Sequence, residues 1–303
     1  MADLDTLLVQ TSRTFALSIP LLPEPTRREV TISYLLFRIA DTFEDAAEWP
    51  RSRRIEALHA FAALLDEDAS VAEMNRLAAE WVADTPIDHA GYQDLLRATA
   101  EVIEAYRELS PSARARIRHH TVRTAEGMAG FVARTDDEGH LVLDDLDDLR
   151  AYCYVVAGIV GELCTDLFLL ERSELEGVAD ELHRRARWFG EALQLVNILK
   201  DAAFDATEGR AYLPPGVDRD EVFALARRDL VTAHEYVLLL QDAGAHRGLV
   251  AFNALPVLLA DAALAKVESE GPGSKISRDE VFAIAAALEI NLDAGRPAVA
   301  RLR

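Results

Sequence analysis

Apolar residues recur at helical spacing along nearly the whole chain, and this periodicity limits the fold to a helical one. In the segment EVIEAYREL, Val102, Ala105, Tyr106 and Leu109 follow the i, i+3, i+4, i+7 pattern of one helix face. Alternating apolar and polar residues, which would indicate β-strands, are scarce. The pattern therefore predicts an all-α fold of roughly ten helices.

Proline- and glycine-rich breaks divide this pattern into helices, but none is long enough to separate two domains. Ser110 and Pro111 read as an N-cap followed by a first-turn proline, and Ser277 and Glu280 have the spacing of a capping box. We expect one domain over residues 1–303. The predicted breaks lie at residues 20–25, 50, 84–88, 135–140, 213–216 and 271–274.

Composition excludes several classes of protein. Half of the 303 residues are hydrophobic, which is ample for a sizeable core, and the net charge of −20 argues against nucleic-acid binding. The two cysteines, Cys153 and Cys164, share one apolar segment and suggest free thiols in a reducing compartment. Acidic residues replace the basic start of a signal peptide, and no uninterrupted apolar run reaches membrane-span length. We expect a cytoplasmic protein without a transmembrane anchor.

Two acidic pairs lie in helical segments that are otherwise apolar. Asp41 and Asp45 in FRIADTFEDA are four residues apart, so both lie on one helix face, with Glu44 beside them. Asp201 and Asp205 in NILKDAAFDA repeat this spacing. Like charges at this distance repel, so each pair costs stability unless a cation lies between the carboxylates.

Acidic pairs at this spacing also arise by chance. With 52 acidic residues in 303, random placement gives about nine of them, and DDLDDLR at 144–150 is typical of a solvated surface. The apolar flanks of the two motifs favour a site instead. If the two helices face one another, their carboxylates supply the hard oxygen ligands that Mg²⁺ prefers when it holds a departing diphosphate.

Four longer segments contain these motifs: TSRTFALSIPLLP (11–23), YLLFRIADTFEDA (34–46), YCYVVAGIVGE (152–162) and GEALQLVNILKDAAFDATEGRAYLP (190–214). In this order they resemble the squalene/phytoene synthase family, the head-to-head prenyl synthases. The resemblance implies a single-domain isoprenoid-synthase helical bundle around a central prenyl-binding cavity. It also implies two prenyl diphosphates bound there with Mg²⁺.

The resemblance assigns roles to individual residues. Tyr152 matches a tyrosine near the departing diphosphate that is implicated in cyclopropanation, although alone it would be read as a core residue. The residues matched to metal binding and to the reaction are Asp41, Glu44, Asp45, Asp201 and Asp205. Those matched to substrate binding are Ser12, Arg13, Thr14, Arg38, Gln194, Asn197, Lys200, Arg210 and Tyr212.

Several of these positions have a structural alternative. Arg38 could form an intrahelical salt bridge with Asp41, and Gln194 could hydrogen-bond to a neighbouring helix. The segment that contains Arg210 and Tyr212 could be only a turn.

Two glycines, Gly158 and Gly161, lie mid-helix, where each costs about 1 kcal/mol relative to alanine. A kink, a close approach of substrate or close helix packing would offset that cost.

The second acidic motif departs from the family pattern, which usually has Arg before its first aspartate and Glu before its last. This chain has Lys200 and Phe204 there. Lysine keeps the charge but not the bidentate geometry of arginine, and Phe204 removes one possible ligand. Both changes bear on the strength of the second metal site.

Three segments favour the squalene branch of the family: TSRTFAL, EGMAGF (126–131) and GSKISRDEV (273–281). The last resembles the basic segment of the reductant site in squalene synthases, so Lys275 and Arg278 would bind the phosphates of NADPH. The alternative is a helix N-terminus with two solvated basic residues. No GxGxxG follows a strand, so any NADPH site is not of the Rossmann type.

We therefore expect condensation of two farnesyl diphosphates through presqualene diphosphate to squalene, with Mg²⁺ and NADPH. The alternatives are a phytoene or dehydrosqualene synthase, which needs no reductant, and a non-catalytic prenyl-binding protein. The membrane-anchored squalene synthases carry a C-terminal anchor that we expect this chain to lack, although a lipid product is compatible with transient membrane contact. No sequence pattern indicates the choice between C15 and C20 substrates or the oligomeric state.

Overall fold

The computed structural model describes residues 3–12, 14–136, 139–170, 172–207 and 212–301, except for the side chains of residues 203–207. These residues form helices and connecting segments and contain no β-strand, as the periodicity predicts. They form two compact units, Met1–Ile19 with Glu24–Leu141 and Pro20–Pro23 with Val142–Arg303. The expectation of one domain over the whole chain stays a prediction.

Helix α3 forms the centre of the first unit. It spans Thr26–Glu44 and contacts most of the other helices of that unit. Its apolar residues Phe37, Ile39 and Phe43 are buried, and the ring of Phe43 lies 4.6 Å from that of Trp81. The other helices of the unit are α1 (Leu4–Thr11), α2 (Phe15–Ser18), α4 (Arg51–Ala63), α5 (Val71–Ala83), α6 (Ala90–Arg97), α7 (Thr99–Arg107) and α8 (Pro111–Val132).

Helix α11 has the same central place in the second unit. It spans Ala179–Thr207 and contacts most of the neighbouring helices there. The other segments of the unit are α9 (Leu146–Cys153), a π-helix (Tyr154–Gly158), α10 (Ile159–Phe168), a short 3₁₀ helix (Ser173–Val178), α12 (Arg219–Asp242), α13 (Arg247–Glu270) and α14 (Arg278–Asp293).

The two helix starts predicted from the sequence are confirmed. Ser110 caps α8 by accepting a hydrogen bond from the backbone of Ala113, and Ser277 and Glu280 form both bonds of a capping box at α14. In the acidic run DDLDDLR, Asp144, Asp145 and Asp147 are exposed, and the run begins a helix because the side chain of Asp145 caps α9. Local side-chain chemistry therefore sets many helix boundaries of this chain.

The π-helix interrupts the segment that the sequence presents as one apolar helix. A Cβ atom at Gly161 would lie 2.1 Å from the carbonyl oxygen of Ala186, and one at Gly190 would lie 2.0 Å from that of Ala157. Helix α11 therefore packs backbone against backbone on the π-helix and α10. Close helix packing and a local change of helix geometry both account for the mid-helix glycines.

Two helical stretches of the described chain have the length and apolar composition of a membrane span. Residues Leu146–Phe168 have a mean hydropathy of 1.4 and are half buried, and Arg247–Glu270 has 1.8 and is 78% buried. Core helices of soluble proteins also meet these criteria, and the burial of Arg247–Glu270 within the second unit fits that explanation.

The backbone contact of Gly190 yields a stability prediction. Gly190→Ala should lower the free energy of unfolding in urea by at least about 3 kcal/mol, because its methyl group would overlap a backbone carbonyl that cannot rotate away. Gly130→Ala is the matched control, since a Cβ there meets no atom within 4 Å and its helix should gain up to about 1 kcal/mol. Equal effects of the two substitutions would contradict the packing described.

Candidate active site

The first acidic motif lies in the last turn of α3. Asp41 and Glu44 end the helix, and Asp45 is its C-cap, with no basic residue in that turn. The carboxyl end of a helix carries partial negative charge, so carboxylates there are unfavourable for a second reason besides their mutual repulsion. This helix end therefore favours the approach of a cation.

One cation comes from the neighbouring helix. Arg54 in α4 is buried, and its guanidinium donates hydrogen bonds to the carbonyl oxygens of Phe43 and Glu44. These are carbonyls that the end of a helix leaves without intrahelical partners. Arg54 thus binds the backbone end of α3, a contact that the sequence did not reveal.

A second cation comes from α3 itself. Nη1 of Arg38 lies 3.3 Å from Oδ2 of Asp41, so the intrahelical salt bridge considered as an alternative is present. Burial still raises the pKa of Asp41 to about 6, because the positive charge of Arg38 opposes the shift only in part and the negative charge of Asp45 adds to it. The ionised form of Asp41 is therefore under-compensated at neutral pH.

Aromatic rings surround the guanidinium of Arg38. It lies 5.6 Å from the ring centroid of Tyr34 and 5.3 Å from that of Tyr92, at cation–π distance. Its Nε is buried and makes no hydrogen bond with any residue that the structure describes. Arg38 therefore keeps one donor that an anionic ligand could use.

The N-terminal motif lies close to this arginine. The hydroxyl of Tyr34 donates to the carbonyl oxygen of Thr11 at 2.7 Å, while its ring lies beside Arg38. Next along the chain, Oγ of Ser12 accepts the backbone N–H of Phe15 at 3.0 Å, and Thr14 is the N-cap residue of α2. Arg13 lies outside the described residues.

The second acidic motif lies in the last turns of α11, where Asp201 is half-buried. Nζ of Lys200 lies 3.2 Å from Oδ2 of Asp201 and donates to Oδ1 of Asn197 at 3.0 Å. Gln194, one turn before Asn197, is half-buried. The side chains of Phe204 and Asp205 lie outside the described residues, as does Arg210.

The basic segment after α13 reaches this motif through its backbone. The N–H of Gly273 donates to the carbonyl oxygen of Lys200 at 2.8 Å, and its φ of +86° favours glycine. Lys275 and Arg278 follow, both exposed, and neither forms an ion pair with a described residue. The exposed side chains of Lys275 and Arg278 therefore belong to a segment that is hydrogen-bonded to the second acidic motif.

Tyr152 and Tyr212 are brought together within the second unit. Their rings are stacked with centroids 4.8 Å apart at an interplanar angle of 24°, and both residues are buried. Tyr212 thus contacts Tyr152 directly, so the segment that contains it is more than a simple turn, the alternative considered from the sequence.

The carboxylate positions suit Mg²⁺ in donor chemistry. Asp41 and Asp45 supply oxygen ligands at a helix end where Asp41 is under-compensated, the setting in which a bound cation is favourable. Within the described part of the chain, no group of three or more His, Cys, Asp or Glu side chains is close enough to hold a metal alone. The full predicted ligand set stays a prediction, since the side chain of Asp205 is not described.

A cleft in the first unit does not resemble a prenyl-binding cavity. It has a volume of about 690 Å³, but carboxylates and arginines form most of its lining. A prenyl chain requires apolar walls, so the central cavity implied by the resemblance stays a prediction. The charged lining residues are Asp3, Asp5, Glu24, Arg27, Arg28, Glu101, Glu104 and Glu108.

Comparison with known proteins identifies the family of this chain. The family model described as squalene/phytoene synthase matches residues 8–217. The chain is 30% identical to Botryococcus squalene synthase from Botryococcus braunii over 203 residues, which are 67% of this chain and 39% of that protein. It is 30% identical to squalene synthase ERG9 from Candida albicans over 209 residues, which are 69% and 44% of the two chains. These matches therefore cover less than half of each relative's length.

A solved structure extends the likeness to the fold. The structure of TcSQS with the ligand E5700 matches 96% of this chain and 87% of its own, with a TM-score of 0.75 and 25% identity. The all-α fold and the family match together place the protein in a defined class. This chain belongs to the squalene/phytoene synthase family.

The raised pKa of Asp41 yields a prediction for the metal-free protein. The folded pKa of about 6 lies above the ordinary value of 3.8, so the folded state binds more protons between these values and stability falls as pH rises through them. Asp41→Asn removes this cost and should raise the free energy of unfolding at pH 8 by up to about 3 kcal/mol. Urea unfolding at pH 4 and pH 8 measures both effects.

The control is Asp94→Asn on α6, because Asp94 also pairs with an arginine at i,i+3 but is exposed. It should change stability little at either pH. A loss of stability in Asp41→Asn at pH 8 would mean that Arg38 fully compensates the carboxylate, contrary to the account given above.

Proposed function

We propose that this chain condenses two farnesyl diphosphates head to head through presqualene diphosphate to squalene, in a reaction that requires Mg²⁺ and NADPH. Support for the reaction class comes from membership of the squalene/phytoene synthase family. Support for squalene as the product comes from the relatives that are named squalene synthases.

One observation carries the proposal at the level of the site. The end of α3 combines the acidic motif with Arg38, whose buried Nε forms no hydrogen bond with a described residue. A magnesium diphosphate would supply both further positive charge for Asp41, whose pKa stays raised despite Arg38, and an anion that Arg38 can bind. No structural need of the helix alone explains this combination.

Mg²⁺ bound there would neutralise the charge on the leaving diphosphate. Asp41, Glu44 and Asp45 would hold it in the first motif, and Asp201 and Asp205 in the second. Arg38, Ser12 and Arg13 would orient the diphosphates, as the resemblance implies. The proposed donor set is made of carboxylate oxygens, which match this metal better than zinc.

Tyr152 is the proposed residue beside the departing diphosphate. Its burial and its stacking on Tyr212 restrict the ring to one orientation, which is what a hydroxyl needs to hold a proton at a defined place. Tyr152 is only 3% exposed, so little water reaches it, and reactive carbocations need such protection.

The reductant site is proposed at the segment that follows α13. Lys275 and Arg278 are exposed and basic and form no ion pair with a described residue, so both are available to bind the phosphates of NADPH. The hydrogen bond from Gly273 to Lys200 ties this segment to the second motif.

The first test is product analysis. The purified chain is incubated with farnesyl diphosphate and Mg²⁺, with and without NADPH, and the extracted lipids are identified by mass. We expect squalene only with NADPH and presqualene diphosphate without it. Dehydrosqualene in both samples would contradict the squalene proposal and remove the reductant role of Lys275 and Arg278.

Substitutions then test the site. Asp41→Asn and Asp201→Asn should each lower kcat by about 100-fold or more, because each removes charge that holds the metal at the developing negative charge. Asp94→Asn should leave kcat unchanged, since that residue lies in an exposed surface pair. Failure to consume farnesyl or geranylgeranyl diphosphate would contradict the proposed enzyme and leave the prenyl-binding alternative.

A further inference from the structure

A buried network of charges lies between α9, α11 and α12 in the second unit. Glu191 is fully buried, and its Oε2 lies 3.2 Å from Nη2 of Arg150. Nη1 of Arg150 lies 3.4 Å from Oδ2 of Asp229, whose side chain is 3% exposed. The other carboxylate oxygen of Glu191 pairs with Nε of Arg187 one turn earlier on α11.

This network contacts the chain on both sides of Tyr152. Arg150 precedes Tyr152 by two residues in α9, and Tyr154 follows it by two as the first residue of the π-helix. The guanidinium of Arg187 lies 4.5 Å from the ring centroid of Tyr154. Through its two arginines, Glu191 therefore links the residues that flank Tyr152 in sequence.

The backbone around Tyr152 has an unusual geometry that needs such support. A π-helix is rare and shifts the register of the residues that follow it. Its last residue, Gly158, lies against the network, because a Cβ there would come within 3.4 Å of Oε1 of Glu191. The close contact of Gly190 with Ala157 fixes the same segment from α11.

The contacts of this network suit it to holding the backbone of neighbouring segments in place, and they suit it poorly to proton transfer. Both oxygens of Glu191 are engaged by guanidinium groups, so neither is available to a reacting group. Burial raises the pKa of Glu191 and of Asp229 although arginines oppose the shift. Buried ion pairs of this kind contribute little stability beyond what apolar side chains of the same size would give.

We propose that Glu191 and Arg150 are positioning residues, which set the orientation of Tyr152 by holding the backbone on both sides of it. The inference rests on the proposed function, in which Tyr152 lies beside the departing diphosphate. If the network positions Tyr152, its loss lowers the rate of the chemical step, whereas loss of a purely stabilising network lowers only the stability of the fold.

A double-mutant cycle tests this assignment. Glu191→Gln should lower kcat by about tenfold or more with KM changed less than about twofold, because a small misplacement of a reacting group is costly while binding is unaffected. In a Tyr152→Phe background, the same substitution should change kcat by less than about twofold. Equal effects of Glu191→Gln in both backgrounds would overturn the proposal.

The matched control lies on the same helix. Glu181 pairs with Arg185 at the i,i+4 spacing of Arg187 and Glu191, but it is exposed. Glu181→Gln should leave kcat and the cycle unchanged. If Glu191→Gln does not fold, Arg150→Gln combined with Glu191→Gln removes opposite charges together and is measured in the same cycle.

A spectroscopic measurement separates this proposal from the proposed function. In protein labelled with 3-fluorotyrosine, Tyr152→Phe identifies the fluorine resonance of Tyr152 without any substrate. Glu191→Gln should shift or split that resonance and leave that of Tyr106 in the first unit unchanged. An unchanged Tyr152 resonance would overturn the proposal, whereas an inactive wild-type chain would overturn the proposed function alone.

Discussion

Each compact unit is built around one long helix whose carboxyl end carries acidic side chains. A central helix must keep most of its surface apolar, and its carboxyl end already carries partial negative charge. Carboxylates placed there are costly unless cations compensate them. Compensation of the carboxylates near the end of α3 and in the last turns of α11 is the constraint on which the neighbouring contacts depend.

The two units meet this requirement in different ways. In the first, Arg54 donates hydrogen bonds to the last carbonyl oxygens of α3, and Arg38 pairs with the carboxylate of Asp41. In the second, Lys200 pairs with Asp201, and the backbone of Gly273 takes up the carbonyl of Lys200. In both units, a carboxylate thus pairs with a basic side chain of its own helix.

Features set by local chemistry could be predicted from the sequence, whereas those set by distant contacts could not. Capping by Ser110 and Ser277 depends on neighbours within one turn, so their spacing predicts the helix starts. The acidic motifs are visible because charges stand out in apolar segments. The π-helix lies in a continuous apolar run that shows no sign of it in the sequence. The roles of Arg54 and Glu191 depend on partners on other helices, which the sequence does not place beside them.

The central proposal is that Asp41 and Asp201 each take part in binding prenyl diphosphate through Mg²⁺. Calorimetric titration with farnesyl thiodiphosphate, which ionises slowly, tests it without turnover. The account predicts binding to the wild-type chain only when Mg²⁺ is present, weakened by about tenfold or more in Asp41→Asn and in Asp201→Asn. Binding of equal strength in the presence of a chelator, or in both variants, would contradict it.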